Sequence, residues 1–214
     1  MPKVYIVGGN GSGYGQMFLK AGWELAKGPL QADLIQFTGG EDVTPTLYGE
    51  ERHPTTGNNF ERDLYEAGYF AIAERLGIPM SGICRGGQFL NVMSGGRMYQ
   101  HVSAHATGRN HDLIDINTGR AISVSSTHHQ MMIAGDAGVL VASANLGGFK
   151  ESVQRIADDK TAVVRVFNNQ DTEVVYYPTT KALCFQPHPE FFDSDHECFQ
   201  YYFELIERVH GLKA

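Results

Sequence analysis

A cysteine in a glycine-rich segment is the strongest chemical signal in the sequence. Cys84 lies within Gly82-Ile83-Cys84-Arg85-Gly86, at the junction between a predicted strand and a predicted helix. Glycines two residues before and two residues after it permit a sharp turn that places the thiol at the carboxyl edge of a sheet. The N-terminus of the following helix favours the thiolate and directs backbone N–H groups at an oxyanion. The segment indicates a nucleophile elbow, although an inert buried cysteine in a turn fits the same local pattern.

A thiolate nucleophile needs a base, and the base needs an acceptor that orients it. Among the nine histidines, His188 is singular because it lies in Gln186-Pro187-His188-Pro189-Glu190, directly after a strand-like segment. In open α/β sheets the carboxyl ends of the strands form the ligand crevice. We therefore expect His188 to approach Cys84, with Glu190 holding the imidazole in the required tautomer.

Strand-like and helix-like segments alternate in the part of the chain that must position these residues. Strands are predicted over 3–7, 33–37 and 79–83, and helices over 16–27, 60–76 and 85–93. This alternation predicts a parallel sheet with helices on both faces. The second half instead contains short strand-like segments before a closing helix over 195–209. Those strands are predicted over 112–116, 121–125, 139–142, 153–156, 162–167, 173–177 and 182–186.

The composition indicates one domain over residues 1–214 and excludes several classes of protein. Hydrophobic residues make up 42% of the chain and aromatic residues 11%, which is enough to bury a core. The 17 basic and 24 acidic side chains give a formal net charge of −7, so a nucleic acid is not an expected partner. No apolar run approaches the roughly 18 residues of a membrane span. With three cysteines and no paired spacing, we expect a cytoplasmic protein with reduced thiols, not bound to a membrane.

Taken together in chain order, these motifs resemble the class I glutamine amidotransferase superfamily, in which a Cys-His-Glu triad hydrolyses γ-glutamyl amides. The γ-glutamyl-γ-aminobutyrate hydrolase branch is the most similar. The similarity rests on segments 39–50, 62–66, 82–92, 126–130 and 188–190, together with Glu151. The resemblance implies a three-layer, flavodoxin-like α/β fold. It has a central mostly parallel sheet, helices on both faces and an extra β-rich part in the second half.

The same resemblance implies a role for each matching residue. Cys84 would be the nucleophile, His188 the general base and then acid, and Glu190 the residue that orients His188. The backbone N–H groups of Gly40 and Arg85 would form the oxyanion hole. Mutating Arg85 is therefore expected to matter less than its position next to the nucleophile suggests.

Substrate contacts are also implied by the resemblance. Gln88 matches a glutamine that contacts substrate, and Thr127 and His128 match a segment that lines the pocket for the γ-glutamyl group. A helical glutamine after an elbow could instead bond to the neighbouring loop. Leu146-Gly147-Gly148 stands where the family usually has an acidic residue before glycine, so the leaving amine stays open.

Three functions are consistent with these motifs. The first is a free-standing cysteine hydrolase that cleaves glutamine or a γ-glutamyl amine through a γ-glutamyl thioester on Cys84. The second is a glutaminase subunit that supplies ammonia to a separate synthetase or amidoligase. The third is a sensor that keeps the fold without turnover. The oligomeric state stays open, and a homodimer is one option.

Other conspicuous residues are assigned to structure. The glycine-rich loop over 8–15 lacks the spacing of a phosphate-binding loop and is predicted to form a wall of the crevice. Cys184 and Cys198 are predicted to pack in the core. A histidine cluster matches no zinc signature, and thiolate hydrolysis needs no metal. We therefore expect no metal and no cofactor, and the cluster is predicted to be structural or at a pocket rim. Its residues are His101, His105, His111 and Asp112.

Overall fold

The computed structural model describes residues 1–8, 13–155, 162–167 and 171–214. In chain order the elements are β1 (Lys3–Ile6), α1 (Tyr14–Lys20), β2 (Glu24–Leu25), β3 (Leu34–Phe37), α2 (Phe60–Leu76), β4 (Met80–Ile83), α3 (Arg85–Met93), β5 (Arg97–Tyr99), β6 (His101–Val102), β7 (His111–Asp115), β8 (Ala121–Val124), β9 (Met131–Ile133), β10 (Val139–Ala144), β11 (Lys150–Arg155), β12 (Ala162–Phe167), β13 (Asp171–Tyr177), β14 (Ala182–Phe185) and α4 (Glu197–His210).

The central sheet has a parallel half and an antiparallel half. Within the described ranges it contains nine strands in the order β2-β1-β3-β4-β14-β13-β10-β7-β8. The strands from β2 to β14 run parallel to one another. From β14 to β8 each neighbouring pair is antiparallel. The α/β class with an added β-rich part in the second half is confirmed.

Alternating side chains of the parallel strands build a core on each face of the sheet. Leu34 of β3 belongs to a buried cluster with Phe18 of α1 and Tyr202 of α4. Its neighbour Ile35 belongs to the opposite cluster, with Phe89 of α3 and residues of α2. Burying each large side chain contributes about 1.5–3 kcal/mol. The three layers therefore follow from the two-residue period of the strands.

The first predicted helix is too long. Instead of spanning 16–27, α1 ends at Lys20, and Gly22 follows at φ +85°, a conformation that favours glycine. Trp23 then turns into the core, where only 3% of it is exposed, and β2 pairs with β1 at the sheet edge. The helical spacing of the apolar residues did not reveal this break.

The other long elements agree with the predicted ones to within a few residues. The helix predicted over 60–76 has those bounds, because Asn59 caps its N-terminus and Gly77 follows at φ +67°. Strands β5, β6 and β9 were not predicted, and each contains two or three residues in a small additional sheet. Residues 9–12 of the glycine-rich loop and residue 156 of a predicted strand lie outside the described residues. Among the helices described, none is long and apolar enough to cross a membrane.

Candidate active site

Cys84 occupies a sharp turn between β4 and α3. Its backbone has φ +51° and ψ −116°, and its N–H donates to the Phe185 carbonyl over 2.8 Å. A Cβ atom at Gly82 would overlap the backbone of Gly86, and one at Gly86 would overlap the backbone of Phe37. The two glycines are therefore needed for the close approach of neighbouring chain segments, and the half-buried thiol sits at the carboxyl end of β4.

His188 reaches the same edge of the sheet because β14, which precedes it, pairs in parallel with β4. Its imidazole is a hydrogen-bonding partner of the Cys84 side chain. Its Nδ1 lies 2.7 Å from Oε1 of Glu190. The ring also stacks on Phe191 with 4.4 Å between centroids, and its backbone N–H donates to Ser125 Oγ over 2.8 Å. The structure thus brings the three proposed triad residues together and restrains the ring from several sides.

The electrostatics of this group favour a protonated imidazole. Burial opposes the charge on His188, but the hydrogen bonds to Cys84 and Glu190 outweigh it and raise the pKa of His188 to about 10. An imidazolium next to a sulfur atom stabilises the thiolate. The site can therefore present a nucleophile and a proton donor at the same time.

Tyr14 is a neighbour of the triad that the sequence motifs did not reveal. Its hydroxyl accepts a hydrogen bond from the Gly39 N–H over 2.9 Å. Burial, and then the nearby Glu190 carboxylate, raise the pKa of the Tyr14 hydroxyl above its usual range, so the phenol stays neutral. The sequence signal was its place in the glycine-rich loop over 8–15, which is predicted to form a wall of the crevice.

The loop after β3 faces the triad and is held by an arginine. A Cβ atom at Gly39 would lie 3.1 Å from His188 Cε1 and 3.6 Å from Cys84 Cβ, and Gly40 adopts φ +144°. Arg62 donates to the carbonyls of Thr38 and Gly39 over 3.0 Å each. A Cβ atom at Gly40 would overlap the Arg62 guanidinium. Arg62 therefore fixes the backbone of the loop that carries the predicted Gly40 donor.

Arg85 has a structural role that its predicted backbone role did not suggest. Its side chain is 1% exposed and forms very short ion pairs with Asp63 and Glu66 of α2. Burial lowers the pKa of Arg85 to about 10, but the guanidinium remains charged at neutral pH. Loss of this side chain would leave Asp63 without its ion-pair partner and Glu66 with Arg62 alone. The side chain therefore supports the fold, apart from the catalytic role predicted for the Arg85 backbone N–H.

The three predicted substrate contacts have different surroundings. Gln88 is buried, and its Nε2 donates to the Gln130 carbonyl over 3.3 Å and to Gln186 Oε1 over 3.1 Å. His128 is buried, with Nδ1 2.9 Å from the same carbonyl, and burial lowers the pKa of His128 to about 4. Thr127 is exposed. Protein partners thus engage Gln88 and His128, whereas Thr127 is open to a ligand.

The predicted histidine cluster separates into two parts. His101 stacks on His53 with 5.6 Å between centroids, and Asp112 is exposed. His105 is fully buried, so a place at a pocket rim is wrong for it. Together with Glu173, His105 and His111 form a group that could hold a metal ion, which the sequence motifs did not predict.

The remaining cysteines lie in the core. Cys184 and Cys198 are fully buried, as predicted, and burial raises the pKa of both thiols. Cys84 is the most accessible of the three. Of the three thiols, the one in the turn between β4 and α3 is therefore the one that a substrate can reach.

Solved structures share this arrangement of sheet and helices. A candidate GMP synthase subunit from Thermoplasma acidophilum superposes with a TM-score of 0.62 at 15% identity, over 99% of this chain and 94% of that one. A glutamine amidotransferase from Thermotoga maritima gives a TM-score of 0.60 at 15% identity, over 97% of this chain and 83% of that one. At these identities the similarity shows the fold alone, which is that of the class I glutamine amidotransferases.

Sequence similarity identifies the family of the chain, which is more specific than the fold. Residues 29–190 match the Peptidase C26 family, and the chain belongs to that family. It is 32% identical to the glutamine amidotransferase-like protein YvdE of Lactococcus lactis over 160 residues, which are 74% of this chain and 66% of that protein. The chain spans less than two thirds of the length of the curated relatives that it matches.

Proposed function

We propose that the chain is a cysteine-dependent hydrolase that cleaves a γ-glutamyl amide bond through a γ-glutamyl thioester on Cys84. The observation that carries this proposal is the position of His188, which contacts both the Cys84 side chain and Glu190. Membership in the Peptidase C26 family, with a relative named as glutamine amidotransferase-like, supports an amide of glutamate as the substrate.

The first half of the reaction forms the thioester. The Cys84 sulfur attacks the γ-carbonyl carbon, a C–S bond forms, and the carbonyl electron pair moves to oxygen. The N–H groups of Gly40 and Arg85 donate to this oxyanion. When the tetrahedral intermediate collapses, the C–N bond breaks and the leaving nitrogen takes a proton from His188. Glu190 keeps accepting a hydrogen bond from Nδ1 and fixes the ring.

The second half of the reaction regenerates the enzyme. His188, now neutral, removes a proton from water as the water oxygen attacks the thioester carbon. The C–S bond then breaks, glutamate is released, and the sulfur leaves as a thiolate next to the reprotonated imidazole. Each proton that His188 gives to the amine is recovered from the water, so the cycle balances without a cofactor.

Two versions of this activity differ in the leaving group. The resemblance of segment 39–50 to the γ-glutamyl-γ-aminobutyrate hydrolase branch favours a stand-alone hydrolase of γ-glutamyl amines. The alternative is a glutaminase subunit that passes ammonia to a synthetase. The fold that the chain shares with a candidate GMP synthase subunit is compatible with this second version.

Release of glutamate from a substrate panel tests the proposal. The panel contains glutamine, γ-glutamyl-γ-aminobutyrate and other γ-glutamyl amines, with Cys84→Ala as the blank and Cys184→Ala as the matched control for loss of a thiol. Preference for γ-glutamyl amines supports the stand-alone hydrolase. Slow release from glutamine alone supports the glutaminase subunit. Turnover of no substrate in the panel would contradict both.

Three further properties remain predictions. We propose that residues 1–214 form a single domain, and that the protein works in the cytoplasm. The third property is the oligomeric state, for which the sequence leaves a monomer and a homodimer open. Gel filtration with light scattering distinguishes the two.

A further inference from the structure

A buried group of imidazole and carboxylate side chains lies in the antiparallel half, on segments far apart in sequence. Glu173 projects from β13, and its Oε1 is the common neighbour of three imidazole nitrogens. These nitrogens are His111 Nε2 at 3.1 Å, His105 Nδ1 at 3.5 Å and His128 Nε2 at 3.9 Å. At most 6% of any of these side chains is exposed. We call these four residues the histidine–glutamate cluster.

The spacing of His105, His111 and Glu173 is that of ligands around one ion, and His128 Nε2 lies beside them, 3.9 Å from Glu173 Oε1. Zinc binds histidine nitrogen at about 2.0–2.1 Å in a tetrahedron, which places neighbouring ligand atoms about 3.3 Å apart. The three nitrogen-to-oxygen distances span that value. In addition, one ligand atom from each of His105, His111 and Glu173 lies within 4.8 Å of the other two.

Two of the imidazoles are oriented by acceptors on their outer sides. His128 Nδ1 lies 2.9 Å from the Gln130 carbonyl, which leaves the Nε2 lone pair directed at Glu173. His105 Nε2 lies 3.3 Å from Asp171 Oδ2, which is an ion-pair distance without the geometry of a hydrogen bond, and His105 Nδ1 lies on the side of Glu173. Histidines that bind metals almost always donate their other nitrogen to a carboxylate or carbonyl. His128 therefore has the arrangement that metal binding requires, and Asp171 is placed to accept from the outer nitrogen of His105.

Several side-chain atoms of the cluster lack a hydrogen bond within the described part of the chain. They are His105 Nδ1 and Nε2, His111 Nδ1, His128 Nε2 and Glu173 Oε2. A buried polar atom without a partner costs about 1–3 kcal/mol. A cation bound by His105 Nδ1 and His128 Nε2 would satisfy the two of these atoms that lie next to Glu173 Oε1.

We propose that His105, His111, His128 and Glu173 bind a divalent cation, and that Zn²⁺ is the best match to this set of three nitrogens and one oxygen. An open pocket of about 510 Å³ is lined by His111, Ser126 and Arg109 and meets the cluster at His111. The ion would fasten the 103–111 loop and the residues before β9 to β13. Ser125, three residues before His128, accepts the backbone N–H of His188, which connects this segment to the proposed base.

Retention of zinc by the full chain tests the site independently of any enzymatic activity. The protein is stripped with a chelator, dialysed against ZnCl₂, freed of excess metal and analysed by elemental mass spectrometry. We expect one zinc per chain and a higher melting temperature than for the stripped protein. Failure of the wild-type chain to retain zinc would overturn the proposal.

Variants locate the bound ion. His105→Gln and His111→Gln should each lose zinc, and Asp171→Asn should weaken binding by about 10–100-fold because it removes an outer acceptor. The matched control is His101→Gln, which changes a histidine close in sequence that stacks on His53 outside the cluster. Equal retention by His105→Gln, His111→Gln and the control would overturn the assignment.

A spectroscopic measurement on the wild-type chain avoids any variant that fails to fold. Co²⁺ substituted for Zn²⁺ should give the intense visible bands of a tetrahedral ion with nitrogen and oxygen ligands. Displacement of those bands by stoichiometric Zn²⁺ would show that both ions share the site. Weak octahedral bands alone would contradict the proposed coordination.

Discussion

Two groups of histidine and carboxylate side chains lie on the same sheet and differ in how they are paired. At the edge of the parallel half, His188 makes a 2.7 Å hydrogen bond to Glu190. In the antiparallel half, Glu173 has three imidazoles at 3.1–3.9 Å, two of which aim a nitrogen without a hydrogen bond at it. Glu190 holds one ring, whereas Glu173 is hydrogen-bonded to His111 and has two further rings beside it, which is the arrangement that the proposed cation site rests on.

The protonation states of the two groups also differ. Hydrogen bonds to Cys84 and Glu190 overcome burial and raise the pKa of His188 to about 10. Burial lowers the pKa of His128 to about 4, because the neighbouring carboxylate does not compensate for it. The comparison teaches that burial alone does not determine the charge of a histidine. The partners on each ring nitrogen do so.

The largest effect is expected from removing the base at the active-site edge. His188→Ala should reduce glutamate release by at least about four orders of magnitude, because the amine loses its proton donor and the thiolate loses its cation. Zinc retention should be unchanged, since the hydrogen bonds and ring contact described for His188 involve Cys84, Ser125, Glu190 and Phe191 and none of the cluster residues. The two assays on one preparation check both statements. Loss of zinc together with activity would show that the two regions are one unit.

Arg85→Ala should destabilise the fold by about 3–5 kcal/mol, because Asp63 would remain buried without its ion-pair partner and Glu66 would keep only Arg62. Urea unfolding measures this change. Arg120→Ala is the matched control, since Arg120 pairs with Glu204 on the surface and its loss should cost at most about 1 kcal/mol. Equal losses in the two variants would show that the ion pairs beneath the active-site edge contribute no more than surface pairs.

Glu190→Gln should lower kcat by roughly 10²- to 10³-fold, within the range of general acid–base catalysis. The neutral amide of this variant would no longer stabilise the imidazolium, so the pKa of His188 should fall. The basic limb of the pH profile should therefore move to lower pH. Steady-state rates between about pH 6 and 10.5 check this shift. An unchanged basic limb would mean that Glu190 does not control the protonation of His188.

A smaller effect is expected in stability against pH. The unfolded imidazole of His188 loses its proton near pH 6.5 and the folded one near pH 10, so the folded state binds more protons between these values. The free energy of unfolding should therefore fall as pH rises from about 6.5 to about 10, with a shallower slope in Glu190→Gln. His210→Gln is the control. The pKa of His210 is about 4 in the folded state and about 6.5 in the unfolded state, so this residue changes the free energy of unfolding only below about pH 6.5. A slope that Glu190→Gln leaves unaltered would contradict the linkage.

Features that depend on neighbouring residues could be predicted from the sequence. Cys84 with its glycines forms one local segment, and so do His188 and Glu190, while the alternation of strands and helices fixes the edge at which the two segments meet. The partners of Arg85 lie 22 and 19 positions away on α2, and no local pattern indicates them. Likewise, Glu173 lies 62 positions from His111, so the cluster has no spacing motif. The two-residue strand β2 was missed because the helical spacing of the apolar residues continues past Gly22, where the chain has already left the helix.

Partition of the acyl group between water and a second nucleophile tests the central claim most directly. The wild-type chain is given a γ-glutamyl amide with increasing hydroxylamine, and amine, glutamate and γ-glutamyl hydroxamate are measured together. If a thioester forms on Cys84, γ-glutamyl hydroxamate should replace glutamate as hydroxylamine increases, and the sum of the two should equal the amine released. Cys84→Ala should form none of the three products. Glutamate release that hydroxylamine does not divert, or that persists in Cys84→Ala, would contradict the account.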